Sequence, residues 1–465
     1  MYSPTHIDPV VSFYNTQGEA VRATIVNLQR RSLVMEVYNP WSIVQVSEVL
    51  SELTVRMGAR NVYVGKAVVI SMVNTGLTAM VSVSLTDEWR ELTEVALEPG
   101  VIGRKAQAFV AEWSERFRIR RDYQIVVNET RAFLADASRW LEQVDLADTA
   151  TGGHAASRLP DEYFHELALP LMAKMKLCFD QFNHEASLVD EELAPAHRAF
   201  AQAALHPLIL RAPFVFRTYT KPLGYAGDYQ MVNQIVGDPR EGPSTYFQVV
   251  NTAFLQTAVA AAHRHRIDML VKYLIGLAQQ ARAAGRPFRV LNVGCGPAEE
   301  IARFLLKFDQ PELLSFELMD FSGETLTWTR ERLEAVQRAT GRRTSIEYVQ
   351  DSVHQLLKRR EADDAGRGEF DAVYCAGLFD YLSDKVCARL NNYFASRTRP
   401  GGRLLVTNVH SANPERFSME HILEWYLIYR DEAKMQAILP ARRGEAHVYT
   451  DPTGVNVFAE TTVAP

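Results

Sequence analysis

Alternating strand and helix patterns in the C-terminal half limit the fold of this chain more than any other feature. Apolar strand patterns cover residues 288–293, 314–319, 345–349, 370–375 and 402–408. Helical patterns between them cover residues 298–307, 323–340, 353–360 and 385–397. Because each helix returns the chain across the sheet, such strands lie parallel. The pattern therefore predicts a doubly wound, Rossmann-like domain, with a final hairpin formed by residues 447–451 and 456–460.

The N-terminal half has different patterns. Short strands rich in Val, Ile and Thr cover residues 22–27, 32–38, 52–55, 62–73 and 78–85, which predicts a small β-barrel. Helical patterns follow at 106–117, 122–144, 161–188, 191–205 and 244–284, with a predicted loop from 213 to 243. The expected fold class is multidomain, α+β and α/β. Its parts are a β domain at 1–99, a helical segment with a lid loop at 100–243, and the Rossmann-like domain at 244–465.

Composition and charge narrow the class of protein. The 465 residues exceed what one core usually supports, and the net charge of −6 with dispersed basic residues disfavours nucleic acid as a partner. No apolar run is long enough to span a membrane, and the N-terminus lacks a secretory signal. The four cysteines have neither zinc-site spacing nor disulfide density. We expect a cytoplasmic protein without a metal that acts on a small-molecule acceptor, either as a monomer or as a homo-oligomer.

The turn after the first strand of the C-terminal half carries the sharpest local motif. Gly294 and Gly296 precede a helix, and glycine lets the backbone turn tightly and approach a ligand. A dinucleotide-binding turn would place a small residue at position 299, but Glu299 and Glu300 stand here and would repel a pyrophosphate. They are compatible with a ligand that carries an ammonium and a sulfonium, as S-adenosylmethionine does. A turn without a ligand stays the alternative.

Acidic residues follow the next two strands. Asp320, followed by Phe321, can accept hydrogen bonds from ribose hydroxyls, and Asp351, followed by Ser352, can accept one from an adenine amino group. Alone, each Asp is more often a helix cap or a loop residue. Together they converge with the glycine turn at one edge of the sheet. The fourth strand would bring Cys375 beside the methionine part of the cofactor.

With these residues the chain resembles the class I S-adenosylmethionine-dependent methyltransferases. More narrowly, it resembles bacterial proteins for synthesis of 3-hydroxypalmitic acid methyl ester, a quorum-sensing fatty acid methyl ester, in residues 36–40, 45–50, 220–229 and 425–430. The resemblance implies a PilZ-like barrel, a helical segment and a Rossmann-like methyltransferase domain that uses S-adenosyl-L-methionine. PilZ domains that bind cyclic di-GMP have an arginine pair and a serine–glycine turn, which residues 29–32 and 74–77 lack. The barrel is therefore predicted to be structural or a partner surface.

Residues that could bind or activate the methyl acceptor follow the fifth strand. A carboxylate acceptor needs no general base, whereas an alcohol or phenol would need one, for which His410 is the best-placed residue. Tyr429 and Arg430 lie on a predicted amphipathic helix over residues 419–438 and would bind an acid head group. Ordinary packing roles stay open for all three.

Two further residues are predicted to contact the cofactor. Arg266 would supply the cation for the cofactor carboxylate, and Tyr225 lies in the predicted lid loop. For the lid, an ordinary interdomain connection stays the alternative.

The sequence leaves three functions open. The resemblance favours carboxyl O-methylation of a 3-hydroxy fatty acid or similar lipophilic acid, whose acyl chain could lie among the apolar helices of residues 106–210. The alternatives are N- or hydroxyl O-methylation of a specialised metabolite, and a non-catalytic signal sensor. The residues do not identify the acceptor.

Overall fold

A computed structural model describes residues 10–464 except 17, 19, 38–43, 58–59, 75–77, 88, 90–100, 117, 151–158, 359–367 and 442. The chain divides into two compact units. The first comprises Met1–Ala226, Asp238–Gln256 and Pro414–Tyr426, and the second comprises Gly227–Gly237, Thr257–Asn413 and Leu427–Pro465. The predicted boundaries at residues 99 and 243 stay a prediction. Of the motif segments, residues 38–40 and 75–77 lie outside the described residues.

The first unit begins with a closed antiparallel barrel. Its strands are β1 (Val10–Tyr14), β2 (Ala20–Leu28), β3 (Ser32–Val37), β4 (Val49–Met57), β5 (Arg60–Asn74) and β6 (Ala79–Leu85). They are hydrogen-bonded in the order β1-β2-β3-β6-β5-β4, and β1 pairs with β4 to close the barrel. Alternate residues such as Leu33, Met35 and Val37 fill its apolar interior. The predicted barrel is confirmed, with β1 as an additional strand.

Helices complete the first unit; helices are numbered along the whole chain. They are α1 (Val101–Arg116), α2 (Arg121–Ala150), α3 (Asp161–Ser187), α4 (Ala194–Ile209), α5 (Pro213–Thr220), α7 (Thr245–Leu255) and α13 (Arg416–Ile422), with α6 (Tyr229–Val236) in the second unit. The prediction of a loop over 213–243 was wrong, because Pro213 begins α5 and the Asp228 carboxylate caps α6 by accepting from Met231 N at 2.8 Å. The predicted helix over 244–284 is interrupted at Gln256.

A seven-stranded sheet forms the second unit. Its strands are β7 (Phe288–Val293), β8 (Leu314–Asp320), β9 (Ser345–Gln350), β10 (Phe370–Ala376), β11 (Thr398–Val409), β12 (Arg443–Thr450) and β13 (Asn456–Val463), in the order β12-β13-β11-β10-β7-β8-β9. The first five are parallel and β13 is antiparallel to β11. The predicted doubly wound sheet and its hairpin are therefore confirmed.

Helices cover both faces of this sheet. They are α8 (Ala258–Ala284), α9 (Glu299–Lys307), α10 (Gly323–Thr340), α11 (Val353–Lys358), α12 (Asp384–Arg397) and α14 (Glu432–Ala437). Val290 packs in the core under α8, α9 and α10, whereas Leu291 packs in the core under α12 and α14. Because β7 lies between β8 and β10, the strand order reverses here, and such a reversal opens a crevice at the carboxyl ends of the strands. The glycine turn lies at this point.

The predicted helix over residues 419–438 was wrong. Helix α13 ends at Ile422, and Glu424 has a left-handed backbone with φ of 49°. Arg430 instead forms a parallel β-bridge with His410, and its N–H donates to Val409 O at 3.2 Å. A backbone that bonds a neighbouring strand in this way cannot form helical hydrogen bonds. No helix within the described ranges has the length and apolar character needed to cross a membrane.

Candidate functional site

The turn between β7 and α9 has a backbone that favours glycine. Gly294 and Gly296 have φ values of 69° and 52°, in the left-handed region. The N–H groups of Gly294 and Cys295 donate to Met319 O at 2.8 and 3.0 Å, which fixes the turn to β8. A Cβ at position 294 would lie 3.3 Å from that of Leu378, whereas one at position 296 would meet no atom within 4 Å. The space beside Gly296 can therefore receive a ligand.

The carboxylate of Asp320 joins the end of β8 to this turn. Its Oδ2 accepts from Gly296 N at 3.1 Å, and its Oδ1 accepts from Ser322 N at 3.0 Å. Burial raises the pKa of Asp320, and these backbone hydrogen bonds offset part of that shift. A carboxylate oxygen can accept more than one hydrogen bond, so the group keeps capacity for a ligand hydroxyl.

Asp351 lies beside Asp320 at the same edge. Its N–H donates to the main-chain oxygen of Asp320 at 3.1 Å, and its Oδ1 accepts from Ser352 N at 2.8 Å. The hydroxyl of Ser352 accepts from Gln355 N at 3.3 Å and so caps α11. The structure therefore brings the predicted pair Asp320 and Phe321 next to the predicted pair Asp351 and Ser352. It also gives Ser352 a structural role as a helix cap.

A buried guanidinium lies near the end of β10. Arg266 on α8 is 7% exposed, and a Cβ on Gly377 would lie 3.2 Å from each of its terminal nitrogens. Burial lowers its pKa, while the charge of Asp380 raises it. Within the described part of the chain, Nη1 has no hydrogen-bond partner. An unpaired buried donor is costly, so a ligand carboxylate would fit here.

Asp380 follows β10 and connects three elements. Its Oδ1 accepts from Val409 N at 2.6 Å, and its main-chain oxygen accepts from Ile428 N at 2.7 Å. Burial raises the pKa of Asp380 to about 6, and the charge of Arg266 counteracts that shift. The close approach of Gly377 to Arg266 was not predicted; the glycine at the strand end was its only signal in the sequence.

Two carboxylates occupy the first turn of α9. Glu299 forms ion pairs with Arg303 and Arg332. Glu300 accepts from the hydroxyl of Tyr374 at 2.8 Å, and burial raises its pKa. Anions bind at helix N-termini that present free N–H groups and no competing carboxylates. This turn therefore disfavours a pyrophosphate, as the sequence predicted.

Arg430 is fully buried and its guanidinium is saturated. Nη1 donates to Phe379 O and Asn408 Oδ1 at 2.8 and 2.6 Å, and Nη2 donates to Leu382 O at 2.6 Å. Nε donates to Asp384 Oδ1 at 2.8 Å. These contacts give every guanidinium nitrogen a protein acceptor, which speaks against the predicted role as a head-group cation. Tyr429 is also buried.

Both ring nitrogens of His410 are engaged. Ala412 N donates to Nδ1 at 3.0 Å, so Nδ1 acts as an acceptor and the proton belongs on Nε2. Nε2 lies 3.1 Å from Glu432 Oε2. A general base needs a lone pair directed at the substrate, and this arrangement leaves the imidazole none.

Cys375, predicted on the fourth strand, and Tyr225, predicted in the lid loop, lie in different units of the structure. The thiol of Cys375 is buried in the core that contains Phe379, and burial raises its pKa, so any cofactor contact would come from its backbone. Tyr225 belongs to the first unit. In the second unit, the hydroxyl of Tyr229 on α6 donates to Glu324 at 2.9 Å. Part of the predicted lid segment thus packs on α10.

Comparisons with known proteins find solved structures that resemble this chain at low sequence identity. No protein-family model matches the chain, and no curated protein matches it. A possible exported protein from Bordetella parapertussis is 14% identical, with 80% of this chain and 100% of that chain covered and a TM-score of 0.40. Magnesium protoporphyrin IX methyltransferase from Synechocystis PCC 6803 with bound SAH is 14% identical, with 54% and 98% covered and a TM-score of 0.37.

N-methyltransferase NodS from Bradyrhizobium japonicum WM9, in complex with S-adenosyl-L-homocysteine, is 14% identical, with 51% and 98% covered and a TM-score of 0.31. Five parallel strands, a reversal beside β7 and an antiparallel β13 give the second unit a Rossmann-like fold, which this chain combines with a six-stranded barrel.

Proposed function

We propose that the chain is an S-adenosylmethionine-dependent methyltransferase whose second unit binds the cofactor. The observation that carries the proposal is a buried carboxylate and a buried guanidinium in one unit, each with unused hydrogen-bonding capacity. Asp320 suits the ribose hydroxyls, and Arg266 suits the carboxylate of the amino-acid part. The acidic first turn of α9 disfavours the main competing class, the dinucleotides.

The other site residues fit this cofactor as well. The open space at Gly296 lets the cofactor approach the backbone, and the buried Asp351 offers an acceptor for the adenine amino group. When bound, S-adenosylmethionine supplies a methyl group on a sulfonium, and the protein contributes chiefly by alignment and exclusion of water. Asp380 would hold Arg266 in place through charge. Contacts from Phe321 and Ser352 stay part of the proposal.

For the acceptor, we propose the carboxyl group of a 3-hydroxy fatty acid or similar lipophilic acid, giving a methyl ester of the quorum-sensing type. The sequence resemblance to proteins for 3-hydroxypalmitic acid methyl ester synthesis suggests this class of acceptor. Both ring nitrogens of His410 are engaged, so His410 cannot act as a general base. This favours a carboxylate acceptor, because an ionised carboxylate needs no base, whereas an alcohol must lose a proton. Tyr429 stays the proposed head-group residue, and Arg430 is assigned the role of a positioning residue.

Cofactor recognition by Arg266 can be tested with two ligands. Arg266→Met should lower the affinity for S-adenosylmethionine about 10- to 150-fold, the effect of losing a hydrogen bond to a charged group. The affinity for 5′-methylthioadenosine, which lacks the amino-acid part, should stay within about twofold, since no contact to that part is lost. Calorimetry measures both. Arg282→Met, an exposed site on the same helix, is the control. An equal loss for both ligands would remove the assignment.

The acceptor can be tested with a homologous series of 3-hydroxy acids and a labelled methyl donor. If the acyl chain is buried, kcat/KM should rise about fourfold per added methylene, the equivalent of about 0.8 kcal/mol. His410→Gln should retain turnover of the acids, because no base is required. Rates independent of chain length, or methylation of amines alone, would exclude the ester proposal and leave the methyltransferase proposal standing.

A further inference from the structure

The first unit contains a buried cation with an unsatisfied hydrogen-bond donor. Arg198 on α4 is 6% exposed, and its Nη2 has no hydrogen-bond partner among the residues that the structure describes. The ring of Tyr426 lies 5.7 Å from its Cζ, and the Tyr426 hydroxyl, also buried, likewise has no partner within the described ranges. Two adjacent buried donors therefore lack acceptors. Native proteins rarely leave such groups unsatisfied.

Two carboxylates in this part of the first unit interact with other groups. Glu420 forms an ion pair with Arg416 at 2.8 Å. Glu424 lies close to the buried Lys221, whose pKa is lowered to about 8 by burial and raised in part by Glu424, so that this lysine is charged at neutral pH. Glu424 also accepts from Gln202 at 3.3 Å. Glu420 feels the charge of Arg198, but no hydrogen bond joins it to Nη2.

Aromatic rings surround this charge. Tyr123 packs against Phe182 and His421, with ring centroids 5.4 and 5.9 Å apart, and the charge of Arg198 acts on Tyr123 and His421. Burial lowers the pKa of His421 well below its usual value, so this imidazole is neutral at neutral pH and adds no charge. A ligand here would meet a buried guanidinium, a second donor and aromatic rings.

We propose that the first unit has a binding site for the carboxylate of an apolar organic acid, with Arg198 Nη2 and the Tyr426 hydroxyl as donors to its two oxygens. A carboxylate has one acceptor oxygen for each of the two donors, and its hydrogen bond from a guanidinium is charge-assisted. The site is separate in its residues from the proposed cofactor site. It does not depend on methyl transfer.

The test uses the full chain with hexanoate and benzoate as probes and with hexanamide and benzamide as neutral counterparts. The two carboxylates should raise the melting temperature and bind in calorimetry, and the amides should do neither. Arg198→Met should weaken carboxylate binding about 10-fold or more, and Tyr426→Phe by a smaller factor, because a hydrogen bond from a charged group is the stronger of the two. Arg139→Met, an exposed change on α2, should leave binding intact.

Folding is checked in the absence of ligand. Arg198→Met removes a buried charge that has no ion pair, so its melting temperature should equal or exceed that of the wild type, whereas Arg416→Met should lower it by breaking the pair with Glu420. Equal responses to carboxylates and amides would overturn the proposal. So would undiminished carboxylate binding by Arg198→Met, or a large loss of its stability without ligand, because that loss would reveal a partner within the protein.

Discussion

Arg430→Met is expected to lower the free energy of unfolding by about 3–5 kcal/mol, because buried acceptors lose their donors. The main-chain oxygens of Phe379 and Leu382 and the Oδ1 of Asn408 all accept from this one guanidinium, and Asp384 completes the set. A methionine fills part of the volume and replaces none of these hydrogen bonds. Lysine should rescue little, since a single ammonium cannot reach acceptors arranged around a planar fork.

Urea unfolding of the full chain measures this change. Arg403→Met is the matched control, because Arg403 forms a partly exposed ion pair with Glu460 at 3.0 Å and should cost about 1 kcal/mol or less. If Arg430 were instead the head-group cation, its replacement should affect substrate binding and leave stability nearly unchanged. If Arg430→Met is as stable as the control while KM for an acid acceptor rises, Arg430 binds substrate and its contacts in the structure are incidental.

The error about residues 419–438 has a physical origin. Helix and extended chain were distinguished by the spacing of apolar residues, which works when one face of an element is buried and the other is exposed. From residue 423 to 430 all side chains but one are buried, so the apolar residues of this stretch have no period. Its conformation depends on hydrogen bonds of Ile428 and Arg430 to residues distant in sequence, which no local pattern reveals.

The sheet was predictable because its strands carry their own signal. Buried parallel strands are continuous apolar runs, and turn residues mark their ends, so that Phe288–Val293 was predicted with its observed bounds. Gly296 and Asp320 could be expected at one edge, since each follows a strand of the same sheet. The contact of Arg266 with Gly377 could not, because it depends on how α8 packs against the sheet. The hydrogen bonds that engage both ring nitrogens of His410 could not be predicted from the sequence either.

Asp320→Asn is expected to weaken S-adenosylmethionine binding by about 1–3 kcal/mol, or about 5- to 150-fold. The amide is a poorer acceptor for ribose hydroxyls than a carboxylate, and one of its two ends becomes a donor. That end would face the N–H of either Gly296 or Ser322, both of which now donate to Asp320. The variant should therefore also disturb the turn at which the cofactor is proposed to bind.

Calorimetry with a pH series separates binding from this local disturbance. Burial raises the pKa of Asp320, so the wild-type carboxylate takes up a proton at a higher pH than an exposed aspartate and its affinity for the cofactor should fall on acidification. The uncharged Asp320→Asn should lack this component of the pH dependence. Asp268→Asn, at a half-exposed carboxylate paired with Arg303, is the control and should retain both affinity and pH profile. If folded Asp320→Asn binds as tightly as the wild type, Asp320 only fixes the glycine turn and the ribose assignment is wrong.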